Sequence, residues 1–138
     1  MQDVENKLKQ FNVSFEWDET NESLRYWYNL SGFASHPETG EKVFFNHIDS
    51  HHTTYLKNSP YMKESTLDDH QYPVHTTYGD GEELEPEMLD HIRATKWSCA
   101  VAFQWEKGDL LVIDNFAAMH SRLSFTGDRR LLAFFSSD

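Results

Sequence analysis

A mostly β fold is what this sequence predicts, and three observations predict it. Ten Phe, six Tyr and four Trp in 138 residues supply the flat, bulky side chains that fill the space between sheets. Cys99, Val101, Phe103 and Trp105 alternate with Ala100, Ala102 and Gln104, the period-2 pattern of a half-buried strand. Beyond Trp105, short apolar runs are separated by Lys107-Gly108-Asp109, Asp114-Asn115 and Thr126-Gly127-Asp128, residues that favour tight reversals. With 38% hydrophobic residues, the length suits one domain with a core of moderate size.

The elements follow in order. Val4, Leu8 and Phe11 recur at spacings of four and three, which predicts a short helix over Asp3–Lys9. Phe15–Trp17 and Leu24–Tyr28 read as strands flanking the polar turn Asp18–Glu22, and Pro37–Gly40 is a second turn before a strand over Lys42–Asn46. Ser50–Tyr78 has no period and is rich in His, Pro and hydroxyl residues, so it is expected to be a long irregular segment. His51, His70 and His75 receive no role from its pattern. Gly79-Asp80-Gly81 is a turn and lacks the lysine and spacing of a phosphate-binding loop. Glu85-Pro86-Glu87 opens the clearest helix, because proline is tolerated in a first turn and acidic side chains suit the positive helix terminus. Met88, Leu89 and Ile92 would form its buried face. The strand Cys99–Trp105, an apolar run Leu110–Ile113, a second stretch ending at His120 and a final strand after Arg129-Arg130 complete the chain.

Charge and cysteine usage remove several function classes. A formal net charge of −11 opposes contact with a phosphate backbone, so no nucleic-acid partner is expected. The single cysteine, Cys99, excludes an internal disulfide, and its place in the alternating run predicts a core position. A reducing, cytoplasmic location fits. No run approaches the roughly 20 apolar residues that span a bilayer, and the start MQDVENKLKQF lacks the pattern of a secretory signal.

The closing stretch, Gly108–Phe135, carries the chemistry. It sets His120 in an apolar stretch, with Arg129 and Arg130 following a turn, so that His120 and Arg130 fall on adjacent strands. An imidazole is a good ligand for a divalent metal, and a guanidinium fork matches a carboxylate through two parallel hydrogen bonds. Together they suit a metal chelated by a dicarboxylate cosubstrate. Strand alternation turns Arg129 to the opposite face from Arg130.

DNFAAMH followed by SRLSFTGDRRLLAF resembles the closing motif of the taurine dioxygenase-like (TauD/TfdA) family. Three further stretches extend the likeness over essentially the whole chain: HPETGEKVFFNH, HTTYGDGEELEPEMLDHIR and FQWEKGDLLVIDN. They are most similar to the syringomycin-biosynthesis-type branch. The resemblance implies a double-stranded β-helix (jelly-roll, clavaminate synthase-like) with a few helices. It also implies an Fe(II)/2-oxoglutarate-dependent dioxygenase acting on a small molecule or a carrier-bound amino acid. His120 corresponds to the last ligand of the 2-His-1-carboxylate triad. Arg129 and Arg130 correspond to the cosubstrate-binding pair, and Arg130 grips the far carboxylate of 2-oxoglutarate. Asp114 and Asn115 shape the turn into the histidine stretch.

All 138 residues correspond to the C-terminal part of longer family members, whose His-X-Asp/Glu motif lies in a part with no counterpart here. The chain does contain His47-Ile48-Asp49, but VFFNHIDSHH aligns with a family stretch beyond the true motif, in which Asn46 and His52 are the matching positions. Sulfonate-processing relatives carry a substrate-binding arginine where this chain has Phe134, so taurine is not the expected substrate. Two other readings stand beside the oxygenase. One is a non-catalytic truncated relative, or an incomplete gene product, serving as a binding or scaffolding module and prone to self-association through open strand edges. The other is a cupin-like metal isomerase or lyase, which would not need Arg130.

Overall fold

The structure is a computed structural model that describes residues 1–20, 22–62 and 66–136. Helix α1, Gln2–Gln10, places Asp3 and Glu5 in its first turn and Lys7 and Lys9 in its last, matching the helix dipole at both ends. It stops where Asn12 adopts φ 54°, a left-handed conformation that asparagine tolerates, and the Val13 N–H donates to the Leu8 carbonyl at 2.9 Å.

Strands β1 (Ser14–Asp18) and β2 (Ser23–Trp27) pair antiparallel, with Phe15 opposite Tyr26 and Trp17 opposite Leu24. Phe15, Trp17 and Leu24 form the half-buried face, and α1 packs on β1. The Trp17 indole N–H donates to Glu5 Oε1 at 3.2 Å, and the Lys9 ammonium lies 5.7 Å from the Phe15 ring centre.

A second hairpin joins β3 (Phe33–Ser35) to β4 (Lys42–Phe44), with Phe33 and Phe44 in edge-to-face contact at 5.8 Å. Its reversal is the expected turn. Gly40 takes φ 72°, where an L side chain would be strained, and its N–H donates to the His36 carbonyl at 2.9 Å.

The remaining elements are α2 (Thr53–Lys57), a 3-10 turn at Asp69–Gln71 and α3 (Pro86–Ser98). Pro86 sits in the first turn of α3, as its lack of an N–H allows. Of the expected α3 face, Leu89 is fully buried, while Met88 and Ile92 are half-buried. Tyr72, Leu84 and Leu89 make the small apolar core.

Among the described residues the mostly β expectation is met only in part, by the two antiparallel hairpins. More of these residues lie in helices than in strands, and the strands form two separate two-stranded sheets rather than a closed double-stranded β-helix. Cys99–Trp105, Leu110–Ile113 and the stretch after Arg130 form no strand. An alternating run becomes a strand only when a neighbouring edge pairs its N–H and C=O groups, and neither hairpin edge receives it here. Cys99, expected in the core, is instead the exposed residue that ends α3.

From Ala100 to Ser136 the chain is irregular and exposed except at Ile113 and Phe116. It is clasped once. The His36 Nδ1 accepts from the N–H groups of Glu38 and Thr39, so the ring proton sits on Nε2, which donates to Asp114 Oδ2 at 2.9 Å. Asp114 Oδ1 accepts from the Phe116 and Ala117 N–H groups, and the Phe116 ring stacks on Phe45 at 4.8 Å. Asp114 thus shapes a turn, as expected. No helix among the described residues is long and apolar enough to cross a membrane.

Candidate metal centre

Within the irregular stretch expected over 50–78, α2 begins at an unusual residue. His52 is its N-cap, with Nδ1 accepting from the Thr54 N–H at 3.2 Å, so the imidazole does what a serine or aspartate side chain ordinarily does. Its side chain is 6% exposed. Helix α3 holds this terminus in place. Arg93 Nη2 donates to the Asp49 carbonyl at 2.9 Å and to Thr54 Oγ1 at 2.7 Å, while Lys96 forms an ion pair with the buried Asp49 carboxylate. The fully buried Thr53 lies between His52 and Thr54.

The opposite wall is the segment 75–83. It doubles back at Gly79–Gly81, where Gly81 takes φ 93°, the Gly81 N–H donates to the Tyr78 carbonyl at 3.0 Å and the Tyr78 N–H donates to the Glu82 carbonyl at 2.8 Å. That reversal sets His75 and Glu83 side by side, with His75 Nε2 at 3.1 Å from both carboxylate oxygens. Thr76 Oγ1 donates to the His51 carbonyl at 3.1 Å and brings the segment against the start of α2.

The His52 and His75 rings therefore lie 4.8 Å apart, centre to centre, and His52 Nε2 is 3.9 Å from Glu83 Oε2. One donor atom from each of His52, His75 and Glu83 falls within 4.8 Å of the other two. Burial, and then the neighbouring His75, push the His52 pKa down against the pull of Glu83. The neutral imidazole, the form that binds metals, is favoured. Two imidazoles and a carboxylate form a donor set used by catalytic zinc and by non-haem iron sites.

The residues anticipated from the sequence lie elsewhere. His120, Arg129 and Arg130 are exposed on the irregular segment, with the Arg129 guanidinium 5.2 Å from the Phe125 ring centre. Among the described residues no three-donor group includes His120. His47 is exposed against the ring of His51 at 5.3 Å, and Asp49 is engaged by Lys96, so His47-Ile48-Asp49 does not assemble as a ligand pair. Sequence reasoning reaches His52 through the family alignment but misses His75 and Glu83. Their proximity depends on the turn at Gly79–Gly81, which is legible, and on the docking of that turn against α2, which is not.

Comparison with known proteins covers both the closing motif and this cluster. The family model for "Taurine catabolism dioxygenase TauD, TfdA family" matches residues 2–134. The chain is 33% identical over 119 residues to the dapdiamide synthesis protein DdaC of Enterobacter agglomerans, covering 85% of this chain and 36% of that protein. It is 29% identical over 131 residues to the clavaminate synthase-like protein At3g21360 of Arabidopsis thaliana, covering 94% of this chain and 36% of that protein. The chain thus spans about a third of the length of these curated relatives. No solved structure matches it. A family match that runs almost from end to end, with the Asp-Asn, His and Arg-Arg signature in order, means that the chain belongs to the TauD/TfdA dioxygenase family.

Proposed function

We propose that this chain forms the C-terminal share of a jelly-roll Fe(II)/2-oxoglutarate-dependent dioxygenase that hydroxylates a small molecule or a carrier-bound amino acid. The observation that carries the reading is the ordered signature Asp114-Asn115, His120 and Arg129-Arg130 inside a family match over residues 2–134. In this reading His120 is the last iron ligand. Arg130 holds the far carboxylate of 2-oxoglutarate through its fork, and Arg129 faces away. The oxidising chemistry belongs to the metal and cosubstrate, and the residues position them.

The residues placed by this structure do not by themselves make the family's iron site. His120 is exposed and joins no three-donor group among the described residues. The same observation favours a second reading, a relative that uses this part of the fold as a binding module without turnover.

The names of the relatives, one a dapdiamide synthesis protein and the other clavaminate synthase-like, support a small-molecule substrate. Phe134, where sulfonate-processing members carry an arginine, argues against taurine. The free, exposed Cys99 fits a reducing, cytoplasmic location, and the acidic charge opposes contact with a nucleic-acid backbone. The test is 2-oxoglutarate-dependent succinate formation by the whole protein, which should vanish in His120→Ala while the far-ultraviolet spectrum is retained. Succinate formation at the wild-type rate in that variant would remove His120 from the site, and no succinate from the wild type would leave the binding-module reading.

A further inference from the structure

We propose that His52, His75 and Glu83 form a binding site for a first-row divalent transition ion, separate from the family's iron site, that staples the 75–83 turn to the start of α2. The proposal does not rest on the oxygenase reading, because none of the three residues belongs to the His120–Arg130 signature.

Two observations carry it independently. The first is the donor set: two imidazoles and one carboxylate with donor atoms within 4.8 Å of one another. Zinc binds nitrogen and oxygen at roughly 2.0 to 2.2 Å, so two donors on one tetrahedral ion lie about 3.3 Å apart. His75 Nε2 and Glu83 are already at that separation, 3.1 Å. His52 Nε2 and Glu83 Oε2, at 3.9 Å, need about 0.6 Å of closure.

The second observation is an unmet need. His52 Nε2 is buried and has no hydrogen-bond partner, although the side chain, 6% exposed, faces the carboxylate. A buried polar atom without a partner costs on the order of 1–3 kcal/mol and calls for a ligand. His75 Nδ1, on the second imidazole of the same cluster, is also buried and unmatched, whereas the unmatched atoms of Thr53 and Arg93 offer no metal donor.

The surroundings complete the site. When Nε2 of His52 holds an ion, the ring proton moves to Nδ1, where Thr54 Oγ1 lies at 3.0 Å and is itself fixed by Arg93 Nη2 at 2.7 Å. The new bond replaces the longer one from the Thr54 N–H, and gives the oriented imidazole that metal sites ordinarily use. At His75 the ion takes the place of the proton shared with Glu83, so binding releases protons. The Glu83 side chain is 60% exposed, which leaves an entry path and room for a water as fourth ligand. Imidazole nitrogens select zinc, cobalt, iron, nickel or copper over magnesium and calcium.

The experiment titrates the purified chain with Co(II), read by visible absorption, and then displaces it with Zn(II). One-to-one saturation is expected, with tighter binding of zinc. Glu83→Gln should weaken binding at least ~10-fold and His75→Gln about 100-fold, since loss of a ligand costs no less than loss of an outer hydrogen bond. His120→Ala should bind as the wild type does. His52→Ala also removes the α2 cap, so the two variants on the 75–83 segment, with circular dichroism confirming their fold, decide the matter. The proposal is overturned if no saturation occurs below about 1 mM, if binding survives both Glu83→Gln and His75→Gln, or if His120→Ala abolishes it.

Discussion

Replacing Lys96 by Met should destabilise the chain more than replacing Asp49 by Asn, although the two changes break the same ion pair. The Asp49 side chain is 9% exposed and that of Lys96 is 27% exposed, so the two ends of the pair differ in how easily they reach water. Lys96→Met leaves a buried carboxylate that must remain charged without a partner or take up a proton. Breaking a fully buried pair from one side costs roughly 3–5 kcal/mol, and the partial exposure of Lys96 brings this to about 2–3 kcal/mol. Asp49→Asn leaves an ammonium that swings outward and an amide that still accepts a hydrogen bond, at about 1 kcal/mol. The double variant should recover about 1 kcal/mol relative to the sum. Urea unfolding at pH 7, followed by circular dichroism and tryptophan fluorescence, measures all four corners of the cycle. Equal costs, or a larger one for Asp49→Asn, would refute the claim that the buried carboxylate is what Lys96 neutralises.

Three further outcomes are expected. Leu89→Ala should cost about 2–4 kcal/mol by opening a cavity under α3, read as a shift in the urea midpoint. His36→Ala or Phe116→Ala should free the segment around Asp114 and accelerate its cleavage in limited proteolysis. The hydrogen bond from His36, with those from the Ala117 and Phe116 N–H groups, holds the Asp114 carboxyl below its ordinary range. That contribution is complete above the ordinary aspartate value and is lost as pH falls through the lower folded value. The same cleavage should therefore appear in the wild type below about pH 4, and Asp114→Asn should remove this pH dependence. In the whole protein, Arg130→Lys should raise the 2-oxoglutarate requirement about 10- to 100-fold while Arg129→Lys does little, measured as the apparent cosubstrate constant; equal effects would place the wrong arginine in the site.

The sequence was most informative where short-range chemistry decides the structure. Val4 and Leu8 mark α1, Phe15, Trp17 and Leu24 mark the first hairpin, Pro37–Gly40 marks the second reversal, and Pro86 opens α3, all within a residue or two of their observed places. Strand β3 and helix α2 escape such a reading because three and five residues carry too little period. The expected strand Cys99–Trp105 shows the opposite case: its alternation is strong, but pairing is a property of two segments and the described residues give it no partner. The candidate centre was legible only in part. His52 stands at a family position, but its meeting with His75 and Glu83 depends on one turn docking against one helix terminus, and no spacing rule encodes that contact.

The uncovered stretch from Ala100 to Ser136 also bears on how the chain behaves at high concentration. Val101, Leu110, Val112, Phe134 and Phe135 are each at least 84% exposed, and the run has the alternation that pairs readily with a copy of itself. What keeps such molecules apart is mutual repulsion from a net charge of −11. The sequence pI is about 5.0, so acidifying toward that value removes the repulsion while leaving the sticky stretch in place. Turbidity should be greatest near pH 5, rise at pH 7 when added salt screens the remaining charge, and fall when Val112 and Phe134 are replaced by glutamate.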